Sequence, residues 1–314
     1  MKALQQIIKR VTENPAQPWA LATLVETQGS TYRNPGARLL VERNGRTLGV
    51  LSGGCLEEEI ARHGQKVIDD VSPVLLSFDT KLLYGCDGQL KILVEPLPAA
   101  GPNGNLITAI GRALKSREVC RVRTCFAGDA LGSTLLTVDA LVAERSGVFV
   151  QIVPLPVRLL LFGTGPEIEP ITQLAENLGW IVERFGHPTE LAHNFRPDAQ
   201  TAALIMTHNF GRDLLALDRL LPLQLGYIGL LGPRKRHAEL VARLSEYRPF
   251  DFDAGIKNLF APAGLDIGSE APEEIALAII SEVAAVLSNR TGGFLRERRS
   301  DPHTIITTVS GEAA

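Results

Sequence analysis

A cysteine stands where a strand-like segment turns into a helix-like one. The stretch LGVLSGGCLEEEI, residues 48–60, joins an apolar run to a start rich in glutamate. The joint consists of Ser52, Gly53, Gly54 and Cys55. Free N–H groups at a helix N-terminus bind anions and lower a thiol pKa, whereas the adjacent glutamates oppose thiolate formation. The pattern is as typical of a reactive Cys55 as of a buried structural cysteine.

A second candidate is the loop TQGSTYRNPGAR, residues 27–38. It contains Ser30, Arg33 and Arg38 among glycines. Two guanidinium groups and loop amides can donate hydrogen bonds to a phosphate. We therefore predict that Arg33 and Arg38 bind a phosphate group. The alternative is a Pro-Gly turn with solvated arginines.

The other cysteines are weaker candidates. Cys86 lies in YGCDG, a glycine-flanked turn between strands, and could converge with Cys55. The spacing of these two matches no zinc motif. Cys120 and Cys125 fall on opposite faces of an alternating strand, so we interpret both as structural.

A glycine turn also follows a strand in the second half of the chain, in LLLFGTGPE. Gly163 and Gly165 match the first two glycines of a dinucleotide-binding turn, but Ile168 replaces the third. Gly186 stands near the end of the next strand, where an acid would hold a ribose. A phosphate-bearing ligand is still compatible with this turn.

Polar residues follow two further strands of this half. His208 and Asn209 come after ALIMT, and Arg234 comes after YIGLLGP. Ligands of open parallel sheets bind at the carboxyl ends of strands, so His208 and Arg234 are candidate pocket residues. The alternative is that such residues cap the following helices, above all Asn209.

The hydrophobic patterns predict an α/β protein: an N-terminal α+β domain followed by a Rossmann-like parallel-sheet domain. Asn44-Gly45 between alternating runs predicts a hairpin in the first half. Continuous apolar strands alternate with amphipathic helices in the second half, which is typical of a parallel sheet covered on both faces. We predict domains at 1–156 and 157–290 and a polar tail at 291–314.

Composition excludes several functional classes. The chain has 314 residues, a net charge of −3 and four cysteines. The chain lacks the net positive charge that attracts nucleic acid and an apolar run long enough to span a membrane. Its four cysteines do not have the spacing of a disulfide-bonded protein. The N-terminal segment has the pattern of an amphipathic helix, not of a signal peptide, so we expect a cytoplasmic protein.

Several motifs together resemble one family. GSTYRNPGARLLV, GVLSGGCLEEEI and YGCDG are similar to the N-terminal domain of the XdhC/CoxI family of xanthine dehydrogenase accessory proteins. LLLFGTGPE, THNFGRDLLAL, YIGLLGPRKR and PAGLDIGSEAPEEIALAI resemble its Rossmann-like C-terminal domain. The sequence departs from the family pattern at Gly186 and Pro188, where members often carry an acid and an arginine.

The resemblance implies a cofactor chaperone rather than a catalyst: a protein that binds the molybdenum cofactor (molybdopterin), supports its sulfuration and delivers it to a molybdenum hydroxylase. A cysteine desulfurase would supply the sulfur, and a homodimer is expected. Cys55 corresponds to the cysteine implicated in cofactor binding and is a candidate molybdenum contact. The alternative is an NAD(P)-dependent oxidoreductase using the Rossmann-like domain, which Gly186 disfavours.

Overall fold

Three sheets organise the described part of the computed structural model, and two of them belong to the first of two units. The structure describes residues 1–29, 31–54, 56–79, 88–101, 104–128, 130–136, 145–247 and 256–297. The first unit comprises residues 1–158 and 175–181, and the second comprises 159–174 and 182–314.

The first unit contains a five-stranded antiparallel sheet in the order β3-β2-β1-β5-β4. Its strands are β1 (Trp19–Gly29), β2 (Arg38–Val41), β3 (Thr47–Gly49), β4 (Val74–Asp79) and β5 (Gly88–Leu97). The predicted hairpin joins β2 to β3: Gly45 has φ +82°, and the Asn44 side chain accepts a hydrogen bond from Arg46 N–H. Helix α1 (Lys2–Glu13) precedes the sheet.

Helix α2 (Glu57–Asp70) covers one face of this sheet. Its apolar stripe includes Ile60 and Val67, which pack with Ala22 and Leu24 of β1. A β-carbon at Gly64 would lie 2.8 Å from the Val41 side chain, so the glycine lets the helix approach the sheet closely.

The opposite face packs on a three-stranded antiparallel sheet in the order β7-β6-β8. Its strands are β6 (Cys120–Cys125), β7 (Gly132–Leu136) and β8 (Val148–Val153). Helix α3 (Leu106–Lys115) and α1 complete this core, which contains Trp19 and Leu21 of β1. Side chains alternate in direction along a strand, so β1 supplies both cores.

The second unit contains a five-stranded sheet in the order β10-β9-β11-β12-β13, in which β11, β12 and β13 pair in parallel. Its strands are β9 (Arg158–Gly163), β10 (Ile181–Phe185), β11 (Thr201–Met206), β12 (Tyr227–Leu230) and β13 (Leu259–Phe260). Its helices are α4 (Ile168–Asn177), α5 (Phe210–Leu220), α6 (Arg234–Tyr247) and α7 (Pro272–Leu287). The predicted α/β class with a Rossmann-like second half is confirmed.

The order of these strands reverses between β9 and β11, and ligands of doubly wound sheets bind at the carboxyl ends of the strands beside such a point. The loops after β9 and β11 carry Gly163-Thr164-Gly165 and Thr207-His208-Asn209. Among the described residues, no helix has the length and apolar character needed to cross a membrane.

Candidate functional site

Three motif loops adjoin the same end of the five-stranded sheet. Gly29, the last residue of β1, pairs with Gly88, the first residue of β5, and Asp79 at the end of β4 pairs with Gln89. Gly49 at the end of β3 lies opposite Leu39 of β2. Because β2 and β5 begin where β1, β3 and β4 end, the strands that flank the three motifs meet at this end.

The motifs themselves are described in part. Ser30, Cys55 and Cys86 lie outside the described residues. Their flanking strands bring the three sequence-predicted segments to one end of one sheet, although the segments are far apart in the chain. Antiparallel pairing of β1 with both β2 and β5 produces this arrangement.

Two of the loops are in contact through Tyr32 and Gly53. A β-carbon at Gly53 would lie 3.7 Å from the Tyr32 ring, and that residue is 65% exposed. Gly53 and Gly54 have φ values of +75° and +109°, which favour glycine. No described atom would lie within 4 Å of a β-carbon at Gly54. The backbone at Gly54 is therefore open to a ligand, beside an exposed aromatic ring.

The loop amides before α2 are already occupied by a carboxylate. Glu57 Oε1 accepts hydrogen bonds from the N–H groups of Leu51 and Ser52, each at 2.9 Å. Glu57 Oε2 accepts from Ser52 Oγ at 2.6 Å, Gly54 N at 3.0 Å and Leu56 N at 3.2 Å. The expectation that these amides are free to bind an external anion is therefore wrong, because Glu57 is the anion that they bind.

These bonds change the electrostatic role of the glutamate run. Burial would raise the pKa of Glu57, but hydrogen bonds from Ser52 and from the loop amides outweigh it and lower the pKa. Glu58 is exposed, and Glu59 forms an ion pair with Arg62 at 3.6 Å. Only Glu57, of the three glutamates, turns back to the loop.

The two predicted arginines lie in different surroundings. Arg33 is exposed in the loop, whereas Arg38 is the first residue of β2 and is only 6% exposed. Arg38 Nη1 donates to Gly36 O at 3.2 Å, and Gln151 Nε2 of β8 donates to the same carbonyl at 3.4 Å. The prediction that Arg38 stands in the loop beside Arg33 is corrected, because Arg38 supports that loop from inside the protein.

A second buried charge, Glu95, acts on Arg38 electrostatically, although no hydrogen bond or ion pair joins the two side chains. Burial lowers the pKa of Arg38 to about 10, and the charge of Glu95 opposes that shift. Glu95 is 7% exposed; burial raises its pKa, and hydrogen bonding from Ser133 and the charge of Arg38 counteract this in part. Glu95 Oε2 accepts from Ser133 N at 2.7 Å, which links β5 to β7.

The described cysteines are free thiols. Cys120 is buried, and burial raises the pKa of its thiol. Cys125 is half-buried, at the other end of β6. Within the part of the chain that the structure describes, no cluster of three or more His, Cys, Asp or Glu side chains could hold a metal ion.

In the second unit, the glycine turn after β9 is tightly packed. A β-carbon at Gly163, which has φ +137°, would lie 2.3 Å from the Met206 carbonyl oxygen of β11. A β-carbon at Gly165 would lie 2.6 Å from Glu167 Oε2 and 2.8 Å from His208 Nε2. Gly163 is therefore required by strand packing, whereas Gly165 faces two side chains.

Those two side chains lie close together where the strand order reverses, between β9 and β11. Glu167 is 8% exposed, and its Oε2 lies 3.7 Å from Nε2 of His208, whose side chain is 55% exposed. A buried carboxylate here disfavours a pyrophosphate at the glycine turn, since like charges repel. His208 is accessible to a ligand, as the sequence predicts for a residue at this strand end.

Neighbouring polar residues hold the ends of the elements together. Asn209 caps α5 by accepting a hydrogen bond from Arg212 N at 3.0 Å. Asp213, only 1% exposed, accepts hydrogen bonds from Thr207 and from Arg236 of α6. Arg234 is exposed at the start of α6, so it, rather than Arg236, is available to a ligand.

An acid that the sequence patterns do not single out lies after β10. The oxygens of Glu190 accept hydrogen bonds from Gly186 N at 3.1 Å and His187 N at 3.0 Å. The carboxylate therefore lies at the strand end where a dinucleotide-binding domain carries its ribose-binding acid. The only sequence signal is a glutamate three residues after a cap position, which is typical of a capping box.

Comparison with protein families gives two matches. Residues 14–79 match the model described as the XdhC and CoxI family, and residues 159–283 match the model described as the XdhC Rossmann domain. Together the matches cover more than half of the chain. They include the loops that carry Arg33, Cys55, Gly163 and His208.

Similar proteins include two curated bacterial relatives. A probable xanthine dehydrogenase subunit of Bacillus subtilis is 25% identical over 312 residues, covering 84% of this chain and 91% of that protein. The molybdenum cofactor insertion chaperone PaoD of Escherichia coli is 25% identical over 281 residues, covering 85% and 82%. A solved structure described as a xanthine dehydrogenase from Bacillus halodurans has a TM-score of 0.79 at 24% identity, covering 92% of this chain and 97% of that one. This last likeness establishes the fold.

Proposed function

Because the chain belongs to the XdhC and CoxI family, we propose that it is an accessory protein that binds the molybdenum cofactor and delivers it to a molybdenum hydroxylase of the xanthine dehydrogenase type. The PaoD relative, whose name describes cofactor insertion, supports this proposal. The role is that of a chaperone, with no catalytic residue assigned. We place it in the cytoplasm, as a homodimer.

One structural observation carries the proposal: the cysteine loop and the arginine loop meet at one end of one sheet. Gly53 lies against Tyr32, next to the exposed Arg33, and the loop continues through Gly54 to Cys55 in sequence. A ligand contacting one of these loops is therefore within reach of the other.

The described residues fit a flat, anionic, sulfur-bearing cofactor. The exposed Tyr32 ring offers a stacking surface, and Arg33 offers charge-assisted hydrogen bonds to a phosphate. The open backbone at Gly54 permits close approach. When bound, the cofactor supplies the molybdenum centre on which the client hydroxylase depends.

Within this proposal, Cys55 is the central contact, since a thiolate is a soft ligand that suits a transition metal with sulfur ligands. Ser30 and Cys86 are further proposed contacts, whereas Ser52 is occupied by Glu57 and contributes by supporting the loop. In the second unit, His208 and Arg234 are the exposed side chains assigned to ligand binding, and Gly163 and Gly165 shape the neighbouring turn. Sulfur for the cofactor would come from a cysteine desulfurase.

Delivery can be tested directly. The chain is purified without oxygen from cells that make the cofactor, and it is mixed with a cofactor-free hydroxylase of the xanthine dehydrogenase type. We expect the hydroxylase to gain activity in proportion to the loaded chain that is added. Serum albumin carried through the same purification is the control. No gain in activity beyond that control would contradict the proposed delivery.

A second candidate function is NAD(P) binding with oxidoreductase activity, which Glu190 favours and Glu167 disfavours. Glu190 stands at the ribose position after β10, while Glu167 places a buried negative charge beside Gly165. We expect calorimetry to detect no binding of NAD(H) or NADP(H), because pyrophosphate repulsion dominates. Binding that is weakened by Glu190→Ala would contradict this expectation and would support the second function.

A further inference from the structure

The cysteine loop is held by a side chain that follows it in sequence. We propose that Glu57 is the positioning residue of this loop and that its carboxylate takes the place of an external anion in the loop's nest of donors. The nest is defined as the N–H groups of Leu51, Ser52, Gly54 and Leu56 together with Ser52 Oγ. This inference rests on the proposed function, because it assigns Glu57 to holding the segment that contains Cys55.

The hydrogen bonds saturate the carboxylate. Glu57 accepts five donors, two at Oε1 and three at Oε2. A carboxylate has about four lone-pair sites, so the five contacts leave none for another partner. The nest therefore has no vacancy for a phosphate, and a cofactor phosphate must be bound by side chains such as Arg33.

The hydrogen bonds of Glu57 point back to the preceding loop, which distinguishes it from other acidic residues in the first turn of a helix. Acids in a first turn interact favourably with the helix dipole wherever they point. Glu57 reaches back as far as Leu51, six residues earlier, and joins the end of the strand region to the start of α2. Glu58, in the same turn with the same charge, is exposed to solvent.

The consequence concerns the cofactor-free protein. Because the N–H groups of Leu51 and Leu56, on either side of Cys55 in sequence, bond to one carboxylate, we infer that these flanking residues are held in place before any ligand arrives. Preorganisation reduces the entropy lost on binding. The positive φ values of Gly53 and Gly54, which strain other residues, are maintained in the same way.

The first test compares Glu57→Gln with the matched control Glu58→Gln in the cofactor-free chain. Hydrogen exchange is measured on the peptide spanning Leu51–Leu56. We expect exchange to be about tenfold faster in Glu57→Gln, because an amide supplies one acceptor oxygen instead of two. In Glu58→Gln, the exchange rate of this peptide should equal that of the wild type. The melting temperatures of both variants, followed by tryptophan fluorescence, should differ little from that of the wild type.

The second test measures molybdenum and pterin retained per chain in the same proteins after loading. We expect retention to fall about fivefold or more in Glu57→Gln, because weaker hydrogen bonds leave the loop less ordered before the cofactor binds. Retention should stay unchanged in Glu58→Gln. Retention that falls while loop exchange is unchanged would overturn the inference, and so would unchanged retention in Glu57→Gln.

Chemical rescue separates positioning from a general loss of stability. In Glu57→Ala, the donors of the nest lack their carboxylate, and added formate supplies one of similar chemistry. We expect formate, but not chloride, to restore slow exchange and cofactor retention. No restoration by formate would overturn the inference.

The inference and the proposed function can fail separately. Loss of retention in Cys55→Ala together with wild-type retention in Glu57→Gln rejects only the role of Glu57. Wild-type retention in Cys55→Ala rejects the cofactor contact on which that role depends. The exchange measurement is made without cofactor, so it reports on the loop in either case.

Discussion

Gly163→Ala is expected to destabilise the second unit by about 3 kcal/mol, because two independent costs add. The residue has φ +137°, a conformation that a β-carbon disfavours. The new β-carbon would also lie 2.3 Å from the Met206 carbonyl oxygen, which is backbone in the neighbouring strand β11 and cannot move alone. Strand packing, not ligand contact, requires glycine at this position.

Gly165→Ala is the matched control, two residues further along the same turn. Its β-carbon would meet the ends of two side chains, Glu167 and His208, which can rotate away. We expect it to cost less than about 1 kcal/mol.

Differential scanning calorimetry measures the melting temperatures of the two variants, and hydrogen exchange of peptides from β9 and β11 measures the local stability of those strands. A decrease in melting temperature on the order of 6–12 °C is expected for Gly163→Ala. Equal melting temperatures for the two variants would show that the contact with Met206 is not what requires glycine.

Removing the charge of Arg38 or of Glu95 is expected to destabilise the first unit by about 1–3 kcal/mol, because each buried charge loses the attraction of the other, although no hydrogen bond or ion pair joins the two side chains. Arg38 and Glu95 are 6% and 7% exposed. Arg38→Met leaves a buried carboxylate, and Glu95→Gln leaves a buried guanidinium.

The two variants should differ in their pH dependence. Burial raises the pKa of Glu95, and Arg38 opposes that shift, so the pKa rises further in Arg38→Met. An acid with a raised pKa in the folded state stabilises the fold when protonated, and this stability is lost as the pH rises. Arg38→Met should therefore be less destabilised at about pH 5 than at about pH 8. The stability of Glu95→Gln should change less over that range, because the glutamine does not titrate.

Urea unfolding, followed by tryptophan fluorescence, measures the free energy of unfolding of the single and double variants. Trp19 is buried in the first unit and reports its unfolding, and the variants are made in a Trp180→Phe background because Trp180 lies between α4 and β10. The double variant Arg38→Met/Glu95→Gln should be less destabilised than the sum of the singles, because neither buried charge remains. If the destabilisation of the double variant equals the sum for the two single variants, the two charges are not coupled.

The sequence predicts those parts of the fold that depend on local patterns. Asn44-Gly45 predicts the hairpin because both residues tolerate the turn conformation, and the apolar stripe from Ile60 to Val67 predicts α2. Alternation of strands and helices predicts the parallel sheet of the second unit. These features depend on neighbours within a few residues, so a single sequence carries the information.

The sequence does not show what depends on side-chain direction. The pattern around Arg38 is that of a loop, and only the pairing of Arg38 with Thr23 places it between two sheets. The glutamate run indicates charge near Cys55, but not that Glu57 alone turns back to the loop. Likewise, no sequence pattern shows that the Glu190 carboxylate lies beside Gly186, where it accepts hydrogen bonds from the backbone.

The proposed function requires that the loop containing Cys55 holds the molybdenum cofactor. The most direct measurement is the amount of molybdenum and pterin per chain after loading without oxygen, in the wild type, in Cys55→Ala and in the control Cys125→Ala. Cys125 is a free, half-buried thiol of β6, away from the three motif loops in sequence. We expect Cys55→Ala to lose most of both components while Cys125→Ala retains them; equal retention by all three proteins would contradict the proposed function.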